Sequence, residues 1–286
     1  MLPESAGIRT GLDKTPHYRL TVGPVTQFKP SPRRLRLVTI NMHKGLSALH
    51  LRPTVLRLRQ RIREEHADLV FIQEIQQKAR GRVAHLTRSA ETGVTQFLAE
   101  GFWPDWHYGR NAVYARGHHG NAILSQHPLR KGLNYDMSEY RFEKRGLLHG
   151  LVTLPGGGAD PLAVHCFCAH LALFERARRR QTEAIIRVIE SLTDGAPAIV
   201  AGDFNDWRNW AGDAMREAGF VEAFEAIRGA PARTFPSVRP MLRMDRIYVR
   251  GLHIRSVKVL TDWATLSDHL PLAAEVEFPA GSLGAQ

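Results

Sequence analysis

The sequence predicts an α/β fold in which mixed sheets pack face to face and helices cover their outer surfaces. Strand-like segments outnumber helical ones, and most neighbouring strands are joined by short turns rather than by helices. The two halves of the chain also repeat one pattern of strand, helix and strand, with a polar residue at each strand end. Such strands bury one face against a second sheet and leave the other face to helices.

The first half begins with a proline-rich segment and continues with strands and helices. Residues 1–33 contain five prolines and three glycines, which favours a partly ordered leader with a weak strand signal at residues 19–25. Pro53 opens an amphipathic helix that runs to His66. The other predicted elements are strands at residues 35–41 and 68–73, the second ending at Glu74, a helix at 95–101, aromatic packing at 103–108, and strands at 111–114, 121–125, around Leu133 and at 147–154.

The second half is organised around residues 198–207, which read A-I-V-A-G-D-F-N-D-W. Four apolar residues between Pro197 and Gly202 predict a short buried strand, so that Asp203 and Asn205 lie where the strand ends. The other predicted elements are a strand at residues 162–169 that ends at His170, helices at 174–192 and 211–218, and strands at 221–224, 243–249, 254–260 and 271–278.

We expect a single domain in a reducing compartment. No low-complexity linker interrupts the chain, so the domain should cover residues 34–280, with the leader at residues 1–33 and a tail at residues 281–286. The two cysteines, Cys166 and Cys168, are too few for a disulfide framework. No signal peptide and no membrane span can be recognised in the sequence, which makes the cytoplasm the expected location.

The chain is strongly basic, with a formal net charge of +11 at pH 7. Only 7 of its 39 basic residues are lysine, so arginine dominates the charge. Such a surplus favours a polyanionic partner, either nucleic acid or an anionic membrane surface. A compositional drift toward arginine explains the charge equally well, because the basic residues are spread along the chain.

Asp203 and Asn205 have the spacing of two side chains that lean over one pocket. A carboxylate and an amide at the mouth of a sheet suit a hard cation and a phosphate oxygen. An Asx turn that merely ends the strand is the alternative, since both residue types favour turns.

A second polar pair is predicted near the end of the chain. Asp245 lies inside an apolar run, where a bare carboxylate is costly, and the imidazole of His269 is a natural partner for it. Together with the other polar residues, nearly all of them at predicted strand ends, this pair forms the inventory that metal-assisted hydrolysis of a phosphate ester needs. These residues are Asn41, Glu74, His170, Asp203, Asn205, Asp245, Asp268 and His269.

Six short motifs follow one another along the chain. They are T-I-N at residues 39–41, Q-E at 73–74, H-L at 170–171, G-D-F-N at 202–205, M-D-R-I-Y-V at 244–249 and S-D-H at 267–269. With them the chain resembles, over residues 35–278, the endonuclease/exonuclease/phosphatase superfamily, which includes DNase I, abasic-site endonucleases, sphingomyelinases and inositol-polyphosphate phosphatases. Its G-R-N-A-V-Y, G-H-H-G-N-A, E-K-R-G and A-R-T-F-P segments resemble the bacterial YbhP-type branch.

The resemblance implies a four-layered α/β sandwich with two mixed sheets packed face to face, helices outside and the site at one end. It also implies Glu74 as the principal ligand of Mg²⁺ or Mn²⁺, with Asn41 and Asp268 nearby.

The resemblance further implies catalytic roles for the remaining strand-end residues. Asp203 and Asn205 would orient the attacking water and the phosphate. His269 would pair with Asp245, and His170 would bind phosphate or act as the acid.

Three further residues are weaker candidates for the substrate phosphate. Asn121 could donate to the phosphate, and His119 would lie in a loop at the rim of the pocket. Arg145 could hold the phosphate, although a solvated charge at a strand edge is an equal alternative.

These features predict a Mg²⁺- or Mn²⁺-dependent phosphoesterase that hydrolyses a phosphodiester by direct attack of water. The basic charge favours a nucleic acid substrate, whereas the lack of an obvious basic, aromatic-rich binding arm favours a phospholipid or another small phosphodiester. The alternatives are a phosphomonoesterase of the same fold and a non-catalytic module that binds nucleic acid or membrane. The oligomeric state stays open.

Overall fold

A computed structural model describes residues 33–45, 54–77, 93–115, 117–155 and 161–280. The predicted strand at residues 19–25, the rest of the leader before Arg33, the helix start at Pro53 and the tail at residues 281–286 lie outside the described residues. None of the helices in the described ranges combines the length and the apolar character needed to cross a membrane.

Twelve strands within the described residues form two six-stranded sheets. The strands are β1 (Arg34–Asn41), β2 (Leu69–Gln77), β3 (Asp105–Tyr114), β4 (Gly117–Ser125), β5 (Leu129–Asp136), β6 (Gly146–Leu154), β7 (Leu162–His170), β8 (Ala198–Asp203), β9 (Val221–Glu222), β10 (Asp245–Arg250), β11 (His253–Val259) and β12 (Leu272–Glu277). The helices are α1 (Val55–Glu64), α2 (Gly93–Ala99), α3 (Glu175–Thr193), α4 (Trp210–Glu217) and α5 (Ala223–Arg228).

The two sheets are built alike. The first has the order β11-β12-β1-β2-β4-β3 and the second the order β5-β6-β7-β8-β10-β9. Each contains one parallel pair, β1 with β2 and β7 with β8, while the other pairings are antiparallel. The predicted mixed sheets and repeated halves are therefore confirmed.

Alternating side chains of the strands build a four-layered sandwich, which confirms the predicted fold class. One face of each sheet supplies the inter-sheet core, with residues such as Leu37, Phe71, Cys166, Cys168, Ile199 and Ile247. The opposite face of the first sheet packs on α1 and α2 through residues such as Val38, Ile40, Leu58 and Leu98. The opposite face of the second sheet packs on α3 and α4 through residues such as Phe167, Val200, Ile185 and Met215. Each fully buried aliphatic or aromatic side chain contributes about 2 kcal/mol.

Several element boundaries differ from the sequence prediction, and local backbone geometry explains two of the differences. Strand β2 does not end before Glu74, because Glu74 adopts a left-handed conformation (φ 54°) in a bulge and the strand continues to Gln77. The predicted strand at residues 221–224 is shorter, because the Glu222 carboxylate accepts a hydrogen bond from the Glu225 N–H and caps α5.

Strand register brings the polar strand ends to one edge, which we call the polar end of the sandwich. In the second sheet, His170 of β7 pairs with Asp203 of β8, and Asp203 pairs with Asp245 of β10. In the first sheet, Asn41 of β1 pairs with Gln73 of β2, next to the Glu74 bulge. The carboxyl ends of the parallel pairs therefore meet at this end, where ligands bind in many α/β sheets.

Gly202 lets β7 and β8 approach closely just before Asp203. Its φ is +151°, and a Cβ atom built on it would lie 1.9 Å from the carbonyl oxygen of Ala169. No side chain fits there without moving one of the two strands.

We expect Gly202→Ala to lower the free energy of unfolding by about 3 kcal/mol or more, because the new methyl group overlaps backbone. Gly195→Ala is the matched control, since Gly195 also has a positive φ (78°) but has no atom within 4 Å of the added Cβ. That control should lose only about 1 kcal/mol. Urea denaturation of both variants measures the difference, and equal losses would contradict the steric account.

Candidate active site

The Asp203 carboxylate lies at the centre of the polar end. Its Oδ2 accepts a hydrogen bond from Nδ2 of Asn41 at 2.9 Å and lies 3.6 Å from Nε2 of His170 and 3.8 Å from Nε2 of His269. Its Oδ1 accepts a hydrogen bond from the backbone N–H of Asn205 at 2.9 Å. One buried carboxylate thus joins groups from both sheets.

His269 is held by a carboxylate and by its own loop. Its Nδ1 lies 2.9 Å from Oδ2 of Asp245. The hydroxyl of Ser267 accepts the His269 backbone N–H at 3.3 Å and donates to the carbonyl oxygen of Asn41 at 2.6 Å. This fixes the imidazole with Nε2 directed at Asp203.

The two buried imidazoles have opposite protonation states. Burial favours a neutral His269, but the charges of Asp245 and Asp203 outweigh it and raise its pKa to about 10. Burial also lowers the pKa of His170 well below its ordinary value, and the charge of Arg145 lowers it further. Burial raises the pKa of Asp203, and His269 opposes this rise. At neutral pH, His269 is therefore an imidazolium and His170 is neutral.

The Glu74 bulge directs a carboxylate toward the same pocket. Its Oε1 lies 4.0 Å from Nε2 of His170, and its side chain is 21% exposed. The expected loop position of His119 is wrong, because His119 lies buried within strand β4, which pairs with both β2 and β3. The Glu74 charge acts on its imidazole, although burial dominates and lowers the pKa of His119. The His119 ring stacks on Tyr114 at a centroid distance of 5.4 Å.

Asp268 approaches the site beside β1. Its Oδ1 lies 3.5 Å from Nδ1 of His43, and its side chain is 24% exposed. The backbone N–H of His43 donates to Oδ1 of Asn41 at 3.0 Å. Glu74, Asn41 and Asp268 thus lie around the polar end, although only Asn41 bonds directly to Asp203.

A second group of possible metal-ligand atoms lies closer together than those of Glu74, Asn41 and Asp268. One ligand atom each of Asp203, Asp245 and His269 lies within 4.8 Å of the others. A metal ion there would require His269 to lose the proton that its two carboxylate neighbours stabilise. The group can hold either a metal or a protonated imidazole, but not both.

Asn121 does not face the pocket. Its Nδ2 donates to the carbonyl oxygens of Gly146 at 2.9 Å and Cys168 at 3.1 Å, so both amide hydrogens are used and the side chain joins the two sheets. Because it is fully buried, it does not have the position expected of a phosphate donor.

Arg145 acts on the site mainly through its positive charge, which lowers the pKa of His170. Its Nε donates to the carbonyl oxygen of Leu171 at 2.8 Å, and its Nη2 pairs with Glu143 at 2.9 Å. The amide of Asn205 donates to the same Leu171 oxygen at 2.9 Å. Arg145 therefore helps to fix the loop that carries Asn205.

Sequence reasoning missed two groups that support Asp245. Arg246 is fully buried, and its guanidinium donates to the carbonyl oxygens of Asp245 at 3.0 Å and Asp206 at 2.8 Å. The Thr234 hydroxyl accepts the Asp245 N–H at 3.4 Å. The M-D-R-I-Y-V motif signals Arg246, because an arginine inside an apolar run needs buried partners.

The comparison with protein families agrees with this geometry. The model described as "Endonuclease/Exonuclease/phosphatase family" matches residues 38–269. The protein named "Uncharacterized protein YbhP" from Escherichia coli (strain K12) is 41% identical over 244 residues, which cover 84% of this chain and 95% of that protein. The resemblance seen in the sequence is confirmed.

Solved structures share the fold. The endonuclease/exonuclease/phosphatase from Beutenbergia cavernae DSM 12333 aligns with a TM-score of 0.70 and 19% identity, over 89% of this chain and 74% of that one. D. rerio TDP2 complexed with a single-strand DNA product aligns with a TM-score of 0.62 and 16% identity, over 85% and 99% of the two chains.

The His269 imidazole should titrate near pH 10 in metal-free protein, and Asp245→Asn should shift its pKa toward the ordinary value of 6.5. NMR titration with assignment from His269→Gln measures both. Because the folded-state pKa is raised, the stability from this group is complete below pH 6.5 and is lost as the pH rises toward 10. A wild-type imidazole that titrates near 6.5 would contradict the paired geometry.

Proposed function

The chain belongs to the endonuclease/exonuclease/phosphatase family, and we propose that it is a divalent-metal-dependent phosphoesterase that hydrolyses a phosphodiester by direct attack of water. The observation that carries this proposal is the Asp203 carboxylate, which lies between a neutral imidazole and an imidazolium. A base beside a fixed cationic donor suits attack of water on phosphorus.

The donor set fits a hydrated divalent cation. Glu74 and Asp268 offer partly exposed carboxylates, and Asn41 offers an amide oxygen. His170, the imidazole next to Glu74, is neutral at pH 7 and provides no countercharge for the Glu74 carboxylate. Oxygen ligands of this kind suit Mg²⁺ or Mn²⁺ with several retained waters. When bound, the ion would neutralise charge that develops on the phosphate oxygens.

The chain's own residues supply the proton transfers and the positioning. Asp203 in its ionised form accepts a proton from the attacking water, and the Asn41 amide holds its Oδ2. The imidazolium of His269 donates from Nε2 to a non-bridging oxygen, while Asp245 keeps the ring charged and oriented. Neutral His170 binds phosphate as a hydrogen-bond donor, because its low pKa makes it a poor acid at pH 7.

A non-catalytic module is the weaker alternative. Loss of chemistry in a retained fold would leave replaced ligands, yet each proposed position carries a competent carboxylate, amide or imidazole. The two cysteines are free and buried in the core, in keeping with the cytoplasmic location that we also propose.

We expect Glu74→Ala to weaken Mn²⁺ binding at least tenfold, because it removes a partly exposed carboxylate of the proposed ligand set. Isothermal titration calorimetry measures this directly. Glu183→Ala is the matched control, since Glu183 is an exposed carboxylate on α3. Equal Mn²⁺ affinity in both variants would remove Glu74 from the metal site.

Turnover of bis-p-nitrophenyl phosphate with Mn²⁺ should fall about 100-fold or more in Asp203→Asn and His269→Ala, since each loses a transition-state interaction. Asp245→Asn should lose less than His269→Ala, because the imidazole remains. A greater loss in Asp245→Asn would instead favour direct metal ligation by Asp245. Cleavage of p-nitrophenyl phosphate alone would identify a phosphomonoesterase.

A further inference from the structure

Exposed apolar side chains gather at the polar end. Nine of the thirteen exposed large apolar side chains in the described ranges lie in or beside five segments there. The segments are the end of β3 and the β5–β6, β7–α3, β8–α4 and α5–β10 connections. We call six of these side chains, Val113, Phe142, Phe174, Trp207, Trp210 and Val238, the apolar rim.

Two side chains of the apolar rim, Phe142 and Phe174, lie on the β5–β6 and β7–α3 connections that border the site. The rings of Tyr140 and Phe142 stack at 5.2 Å, and Phe174 packs edge-on against Tyr140 at 5.7 Å. The same two connections are joined by the hydrogen bond from Arg145 to Leu171. The exposed rings therefore have a fixed position relative to the site.

Exposed arginines accompany the apolar side chains. Arg141 precedes Phe142, which is 77% exposed, and Arg239 follows Val238, which is 70% exposed. Residues 229–244 contain three arginines and no acidic residue. Apolar tips beside basic groups suit an anionic lipid surface, where the tips enter the interface and the arginines face phosphates.

The rim is less suited to a nucleic acid strand. The guanidinium of Arg178 covers one face of Trp207 at 4.4 Å, and that of Arg179 covers one face of Trp210 at 3.7 Å. Bases stack on open aromatic faces along a track. Here aliphatic tips such as Val113 and Val238 share the rim with the aromatic rings.

We propose that the apolar rim and its arginines dock on an anionic phospholipid surface and that the site hydrolyses a phosphodiester of a lipid headgroup there. This substrate class rests on the proposed function, whereas docking itself does not. The hydroxyl group of water bonds to phosphorus, and the remaining proton of water goes to the oxygen that leaves. One P–O ester bond is therefore the only bond broken in the lipid.

Sedimentation with vesicles in EDTA tests docking without catalysis. Wild type and Glu74→Ala should bind vesicles of equal parts phosphatidylglycerol and phosphatidylcholine equally well, and phosphatidylcholine vesicles at least tenfold more weakly. The double variant Phe142→Glu/Val238→Glu should lose at least tenfold in affinity for the mixed vesicles. Val221→Glu/Leu133→Glu, which makes the same charge change at exposed positions outside the rim, should bind like wild type.

Two activity measurements separate the proposals. Both double variants should hydrolyse bis-p-nitrophenyl phosphate at the wild-type rate, while the rim variant should release soluble phosphate ester from mixed vesicles at least tenfold more slowly. Wild-type activity on the soluble diester without vesicle binding would overturn this inference alone. Vesicle binding without any diester cleavage would overturn the proposed function. Binding of a single-stranded oligonucleotide that the rim variant loses, with no vesicle binding, would make the rim a nucleic acid surface.

Discussion

The hydrogen bond from Nδ2 of Asn41 to Oδ2 of Asp203 is the interaction on which the polar end depends. It joins β1 of the first sheet to β8 of the second at the edge where both parallel pairs finish. Since Asp203 also lies next to His170 and His269, the position of one sheet relative to the other sets the geometry of the site. The inter-sheet core maintains that position, and Gly202 allows the close strand approach that precedes Asp203.

Electrostatics follows from this packing. Buried carboxylates are stable only when they are paired or hydrogen-bonded, and the carboxylates at the polar end differ in how closely they are paired. Asp245 and His269 form a close ion pair, whereas Glu74 faces a histidine that burial keeps neutral. The charged imidazole is thus paired with Asp245, whereas the neutral one provides no countercharge for Glu74. In the metal-dependent hydrolysis that we propose, the cation would lie beside Glu74 and the proton on His269.

The sequence was most informative where burial imposes a cost. An apolar run closed by Gly202 identified the strand end at Asp203, and the cost of a buried carboxylate led from Asp245 to His269, a contact that the structure has at 2.9 Å. Periodicity could not reveal the bulge at Glu74, because a single left-handed residue leaves no pattern. It also could not show that Asn121 turns inward to join the sheets, since direction within a strand depends on register.

Metal-dependent attack of water on phosphorus is tested by turnover of bis-p-nitrophenyl phosphate in isotopically labelled water, with Mn²⁺ and with EDTA. We expect Mn²⁺-dependent cleavage in which one labelled oxygen enters p-nitrophenyl phosphate and none enters p-nitrophenol, because water attacks phosphorus. Label in p-nitrophenol, or equal cleavage in EDTA, would contradict this mechanism.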